Sequence, residues 1–266
     1  MEKQTLEPLV TLYFIRHGET EVNCHNCVQG GRINPPLNER GRKQAKCIGE
    51  RFRHQHLDWI VTSTSLRALE TGAVLCKHHR NVPSDSYSEL NELGFGDLEG
   101  THVTAGYNDL VAQWDDEHNI DLPAPGKCGE SPATCAQRVM PCLQAIVKRA
   151  IAEDKKAVCM VVHSRLIQIV LAGILDGSLA TMKTYKQKKA AVNIVDICSE
   201  LDADVDADAG RWPFRCVARE INSVSHMPDD VVSHISSADS LKKQTKKDGL
   251  VRFEIDSDGK LVLKQL

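Results

Sequence analysis

Three short apolar runs, each followed by residues able to bind an anion, constrain this chain more than any other feature. Leu9 to Ile15, Trp59 to Val61 and Ala157 to Val162 are dominated by β-branched, aromatic and other apolar side chains. Such continuous runs belong to strands buried on both faces. Between them the pattern takes a helical period. Leu37 to Leu57 reads as a helix with Asn38 as its N-cap candidate, and Thr62 to Ser65 supplies capping residues for a helix reaching about His79. Thr104 to about His118 forms another helix. Ser131-Pro132 opens a further one, with Val139, Leu143, Ile146, Val147 and Ala150 at helical spacing. Ser164 to Leu175 is an apolar core helix, and Ala191 to Cys198 is a fourth strand. Strands alternating with helices need crossover connections. The expected fold is therefore α/β, a three-layer α/β/α sandwich with a mostly parallel central sheet.

The 266 residues suit one large domain, 1–229, followed by a C-terminal extension, 230–266. In that extension Ser233 to Lys247 is rich in serine and lysine and reads as mobile. Leu250 to Ile255 and Lys260 to Leu263, joined by Asp258-Gly259, read as a terminal hairpin. The alternating acids from Asp202 to Asp208 read as an exposed hairpin loop rather than a calcium loop. Ala209 stands where the turn glycine belongs and Arg215 where the bidentate acid belongs. A net charge of -3 gives no global attraction to nucleic acid. No apolar run approaches the ~18–20 residues that span a bilayer. Neither nucleic acid nor membrane is expected as a partner. The 10 cysteines are scattered through a large chain, so they read as reduced thiols of a cytoplasmic protein. Cys24 and Cys27 form the only close pair, and without a second pair they predict no metal site.

The chemistry gathers at three strand ends. Arg16-His17-Gly18-Glu19-Thr20 follows the first strand, Thr62 to Arg67 the second, and His163-Ser164-Arg165 the third. Ligands of open α/β sheets bind beyond the carboxyl ends of the strands, and helix N-termini favour anions. Two arginines and two histidines can thus converge on one anion, with guanidinium forks suited to phosphate or carboxylate.

Arg16-His17-Gly18-Glu19-Thr20 resembles the Arg-His-Gly signature of the histidine phosphatase superfamily, whose fold is phosphoglycerate mutase-like. The resemblance extends from about Leu9 to Met227. It is carried further by Asn23, Gln29-Gly30, Pro36-Leu37-Asn38-Glu39-Arg40-Gly41, Ser65 to Thr71, Asn91 to Gly100, Gly129-Glu130-Ser131, Val161-Val162-His163, and Ile221-Asn222 through His226. It implies that His17 is a nucleophile forming a transient phosphohistidine. Arg16, Arg67 and His163 would hold the phosphoryl oxygens, and Glu92 would be the general acid. Asn23, Gln29, Gly30 and Ser164 would bind substrate.

Elementary chemistry agrees with these roles. A neutral imidazole is a competent nucleophile near pH 7, and phosphoryl transfer consists largely of positioning and charge stabilisation. No metal or other cofactor is expected. Glu92 must hold a proton in the substrate complex, which a dianionic substrate and the neighbouring Asp97 and Glu99 favour. N–H groups of the helices starting near Ser65 and Ser164 are expected to add to anion binding.

Two features depart from the family pattern, the residues after the second histidine and the late segment Asn222-Ser223-Val224-Ser225-His226. Ser164 stands where glycine is usual after the second histidine, and Arg165 follows it, at the pocket mouth or on the surface. Lys183, Lys186, Lys188 and Lys189 form a basic cluster, either solvated or steering a second anionic group. His226 reads as a structural or rim residue. His54, His56, His78 and His79 sit at helix ends.

The expected function is a metal-independent phosphatase acting on a small phosphorylated substrate. A phosphoglycerate mutase using the same residues is the alternative, and the short Asn91–Gly100 loop favours the phosphatase. A scaffold on a retired phosphatase fold is disfavoured, because all five core residues are present. A phosphoprotein phosphatase recruited through the tail ranks lower. Oligomeric state and physiological substrate are not encoded in any motif.

Overall fold

The computed structural model describes residues 7–116, 118–200, 212–232, 251–255 and 261–265. The acidic stretch at 202–208, the Ser/Lys-rich segment at 233–247 and the expected turn at Asp258-Gly259 lie outside these. β1 (Val10–Arg16), β2 (Trp59–Ser63) and β4 (Ala157–Val162) are the three apolar runs, with β3 (Ser84–Tyr87) between β2 and β4 in sequence. β5 (Val192–Glu200) and β6 (Phe214–Ser223) complete a six-stranded sheet of order β3-β2-β4-β1-β5-β6. β3, β2, β4 and β1 pair in parallel, and β5 is antiparallel to both β1 and β6. β5 alone therefore runs against the rest. A separate antiparallel pair, β7 (Val251–Ile255) with β8 (Leu261–Gln265), forms the terminal hairpin strands.

Alternate residues of β1 separate two cores. Leu12 and Phe14 pack on one face of the sheet, with α5 (Pro132–Ala152), α6 (Ser164–Leu171) and part of α4 (Ala105–Asp115). Tyr13 and Ile15 pack on the other, with α2 (Glu39–Phe52) and α3 (Leu66–His78). This is the three-layer arrangement, and it explains why the central strands are apolar at every position. α5 begins at Ser131, whose side chain accepts from Thr134 N–H in a reciprocal cap, with Pro132 in the first turn. α2 begins at Asn38, whose Oδ1 accepts from Gly41 N–H at 2.8 Å.

Two elements differ from expectation. The α-helix after β4 ends at Leu171 and continues as a wider π turn, Ala172–Asp176, which closes at Gly177 with φ +65°. β3 and β6 carry no apolar run, because each is an edge of the sheet, paired on one side only among the described residues.

A short helix, α1 (Glu21–Cys24), follows the loop after β1 and is capped by Thr20. That loop is wedged against the start of α2. A Cβ on Gly18 would lie 2.6 Å from Gly41 O, and one on Gly41 would lie 2.0 Å from Glu19 O. Two glycines are thus required where backbone meets backbone. This contact sets the loop that carries His17.

Candidate active site

The carboxyl ends of β1, β2 and β4 deliver their polar residues to one place. His17 is buried, and its Nδ1 lies 2.7 Å from Gly18 O, so Nδ1 carries the hydrogen and Nε2 presents its lone pair. Arg67 donates from Nε to that Nε2 at 3.2 Å. Burial holds the His17 pKa well below the ordinary imidazole value, and the Arg67 and Arg16 guanidiniums push it the same way. The ring is therefore neutral at pH 7. The His163 ring stands 5.1 Å from it, fully buried, with Nε2 2.7 Å from Ser63 Oγ. The His163 pKa is also held well below its ordinary value, by burial first and then by Arg67, His17 and Arg16.

Arg67 is buried at the first turn of α3. Its Nη1 and Nη2 donate to Ile33 O at 3.1 Å and Gly30 O at 3.2 Å. With the Gln29 amide oxygen turned to Arg67, that oxygen accepts from Nε at 2.6 Å and Nη1 at 3.0 Å. Burial brings the guanidinium pKa down to about 10, still charged at neutral pH. Arg16 donates from Nη1 to Gln187 O at 2.7 Å. Arg16 Nε and His163 Nδ1 are buried without a hydrogen-bond partner among the described residues. Buried polar atoms rarely remain so, and an anion between these groups supplies what they lack.

These residues border a cavity of about 370 Å³. Arg16, His17, Asn23, Gln29, Glu92 and Ser164 line it. Arg67 and His163 are not among its lining residues, but both adjoin the His17 ring at its edge. Gly30, expected to bind substrate, is a support instead. Its carbonyl accepts from Arg67, and a Cβ there would lie 2.3 Å from Glu99 Oε1.

Glu92 is docked on the start of α6. Its Oε1 accepts from Leu93 and Leu166 N–H, both at 3.0 Å, and its Oε2 accepts from Arg165 N–H at 3.1 Å. The expectation that first-turn N–H groups bind the anion is narrowed here. Arg165 and Leu166 N–H of α6 serve Glu92, while Leu66 N–H goes to Asn34 Oδ1 and Ser65 N–H to Ser63 Oγ, which leaves Ser164 and Arg67 N–H for that role. Glu99 is occupied elsewhere too, accepting from Arg32, Ile33 and Phe95 N–H and so bracing the loop that holds Gln29. Asp97 is exposed.

Sequence reasoning missed three partners. Arg165 is neither at the mouth nor on the surface. It is buried, lines the cavity and pairs with Asp115 at 2.7 Å. Glu19, buried beside His17, takes Lys189 Nζ at 2.6 Å and Asn38 Nδ2 at 2.9 Å. The basic cluster is divided accordingly. Lys189 belongs to this ion pair, Lys188 to the cavity wall, Lys183 to an ion pair with Asp116, and Lys186 is exposed. The signal for Arg165 and Asp115 was charge inside apolar helices, α6 and the end of α4.

His226 is half-buried away from the cavity, as a structural residue, and burial pushes its pKa down to about 4. His79 contacts Phe52 O at the end of α3 as expected, whereas His56 pairs with Asp58 in the loop before β2, because α2 ends at Phe52 rather than reaching Leu57. Cys24 and Cys27 line the cavity, with the Cys27 thiol pushed up to about 11 by burial. None of the 10 cysteines is in a disulfide, and among the described residues no three metal-ligating side chains gather.

The buried histidines make stability depend on pH. In the unfolded chain His17 and His163 titrate near ~6.5, and in the folded chain both stay neutral well below that. As pH falls below ~6.5 the unfolded state takes up protons first, so stability drops. Each ring contributes about 1.4 kcal/mol per pH unit until its folded pKa is reached. Urea unfolding at pH 7.5 and 5.5 measures this. Saturating inorganic phosphate is expected to flatten the slope by stabilising the protonated rings.

The profile of the histidine phosphatase superfamily (branch 1) matches residues 12–201. An adenosylcobalamin/alpha-ribazole phosphatase of Salmonella typhimurium is 28% identical, over 70% of this chain and 90% of its own. A 2,3-bisphosphoglycerate-dependent phosphoglycerate mutase of Methylobacterium radiotolerans is 30% identical over 75% and 98%. Among solved structures, Bacillus stearothermophilus YhfR superposes with a TM-score of 0.62 at 29% identity, covering 82% of this chain and 98% of that one.

Proposed function

The chain belongs to the histidine phosphatase superfamily, and from that membership we propose that it is a metal-independent phosphatase hydrolysing phosphomonoesters through a phosphohistidine on His17. The observation that carries this reading is the state of His17. Its ring is neutral, its Nδ1–H is held by Gly18 O, and its Nε2 lone pair faces the guanidinium of Arg67. A nucleophile with a fixed tautomer beside fixed positive charge needs no metal to generate it.

In the first step Nε2 attacks phosphorus as the phosphorus–oxygen bond to the alcohol breaks. Glu92 gives its proton to the departing oxygen. In the second step Glu92 takes a proton from water, whose oxygen attacks phosphorus and breaks the nitrogen–phosphorus bond, releasing phosphate. Arg16 Nε, Arg67 and His163 hold the oxygens throughout. Ser63 Oγ accepts from Ser65 N–H. When its own hydrogen goes to His163 Nε2, Nδ1–H remains as the donor to phosphate. Asn23, Gln29 and Ser164 face the bound ester from the cavity wall.

Phosphate release from p-nitrophenyl phosphate and 3-phosphoglycerate in EDTA tests the reading. Release sensitive to EDTA, or none, overturns it. The second reading is a phosphoglycerate mutase, in which His17 returns its phosphoryl group to phosphoglycerate instead of to water. It is favoured by the 30% identity to a mutase along nearly that protein's whole length.

Glu92→Gln separates the role of the acid from positioning. The substitution should lower kcat on alkyl phosphates by about 10²–10⁴-fold. The loss on p-nitrophenyl phosphate, whose leaving group needs no proton, should be much smaller. Equal losses would assign Glu92 to structure.

The chain's domain limits are proposed as 1–229 for the catalytic domain and 230–266 for an extension. The proposed setting is the cytoplasm; no single described helix is long and apolar enough to cross a membrane.

A further inference from the structure

Arg16 is held differently from the other inner cations of this region. Arg67 has the carbonyls of Gly30 and Ile33, Arg165 has Asp115, and Lys189 has Glu19. Among the described residues the Arg16 side chain makes one hydrogen bond, from Nη1 to Gln187 O at 2.7 Å, and its Nε has no partner. A carbonyl orients a guanidinium without neutralising it, so the charge stays available to a phosphoryl group. The aim of Arg16 then depends on one peptide carbonyl and on what fixes residue 187.

A buried amide network fixes it. Gln187, 6% exposed, and Asn193, 0% exposed in β5, bond reciprocally. Asn193 Nδ2 donates to Gln187 Oε1 at 2.8 Å, and Gln187 Nε2 donates to Asn193 Oδ1 at 3.1 Å. Three backbone groups set the direction of both amides. Asn193 Oδ1 accepts from Asn222 N–H at 2.7 Å, its Nδ2 donates to Phe14 O at 3.1 Å, and Gln187 Nε2 donates to Tyr185 O at 2.9 Å. N–H can only donate and C=O can only accept, so neither amide can turn over without losing bonds. Asn222, at φ +53° in β6, accepts Lys188 N–H at 2.7 Å through its Oδ1. Residues 187 and 188 are thereby pinned to β5 and β6 at once. The same loop grips the nucleophile segment. Ala190 N–H donates to His17 O at 3.3 Å, and Arg16 N–H donates to Ala191 O at 3.0 Å.

Resting on the phosphatase reading, we propose that Gln187 is a positioning residue, whose amide, locked to Asn193, fixes the carbonyl that aims Arg16 at the phosphoryl oxygens. A fully bonded polar pair buried beside β1 gives this carbonyl a single position. Misplacement of a charged group by about 1 Å is enough to lower a rate by up to about 10²-fold. A network that serves only to join β5 to β6 makes a different prediction, because its loss would act on the fold whether or not Arg16 is present.

A double-mutant cycle on the full chain separates the two. Gln187→Met leaves Asn193 bonded to Asn222 N–H and Phe14 O, so the variant is expected to fold, and urea midpoints check this. It should lower kcat/KM for p-nitrophenyl phosphate by about 10-fold. In an Arg16→Met chain the same substitution should change kcat/KM by less than about 2-fold, because the group it aims is gone. A loss by the same factor in both backgrounds overturns the proposal and assigns Gln187 to structure. A loss below about 2-fold in the otherwise unmodified chain overturns it as well. Titration of the same four chains with inorganic phosphate gives a second readout. Gln187→Met should weaken phosphate binding about 10-fold only where Arg16 is present. If none of the chains hydrolyses the ester but phosphate binding keeps this pattern, the phosphatase reading falls and the positioning of Arg16 stands. Absence of both hydrolysis and phosphate binding in the unmodified chain overturns both.

Discussion

His17→Ala is expected to lower kcat/KM for p-nitrophenyl phosphate by at least about 10⁴-fold while the chain stays folded. The variant removes the atom that would bond to phosphorus, and no described neighbour can substitute. His163 is the closest imidazole, but its Nε2 is engaged by Ser63 and it is not among the residues lining the cavity. The fold should survive because His17 is neutral in the native state, and Arg67 keeps its bonds to the Gly30 and Ile33 carbonyls when the ring is removed. It also relieves one of the buried rings that must remain uncharged as pH falls, so the variant should lose less stability between pH 7.5 and 5.5. Phosphate release and urea midpoints on the same preparation read both effects. Retention of more than a hundredth of the activity would remove His17 from the nucleophile role.

Arg67→Met carries the second large effect, and its signature is different. The guanidinium is the fixed positive charge closest to the nucleophile, and loss of one such donor typically lowers kcat about 10²–10³-fold. Arg67 also fastens the loop after α1, through the carbonyls of Gly30 and Ile33 and the Gln29 amide. Each buried carbonyl left without its donor costs about 1–3 kcal/mol. Arg67→Met should therefore lose activity together with more thermal stability than His17→Ala, which strips a donor from the single carbonyl of Gly18. Arg67→Lys keeps the charge but cannot span three acceptors, so it should recover part of the stability and little of the rate. Unchanged stability in Arg67→Met would contradict the bracing role.

The two variants also show why the site was partly legible in the chain. Arg16, His17, Arg67 and His163 each follow an apolar run or open a helix, and such a run announces its own carboxyl end. Once the runs are read as neighbouring parallel strands, their ends must share an edge. Asn38 at the start of α2 and Ser131 with Pro132 at the start of α5 were legible for a similar reason. A cap acts on N–H groups only two or three residues away.

What the chain alone determined is local in this sense: the period of each segment, its caps, and the residues placed at strand ends. Tertiary structure decided the rest. The reversed direction of β5 follows from its place between β1 and β6, and the polar edge strands β3 and β6 gain their order from pairing rather than from an apolar pattern. The same holds for charge. Arg165 with Asp115, Lys189 with Glu19, and Glu92 on the first turn of α6 join residues 50, 170 and 73 positions apart. Burial in a shared cavity makes each of these pairs necessary. No spacing along the chain records it, because the desolvation that selects a partner exists only after the strands and helices have closed around it.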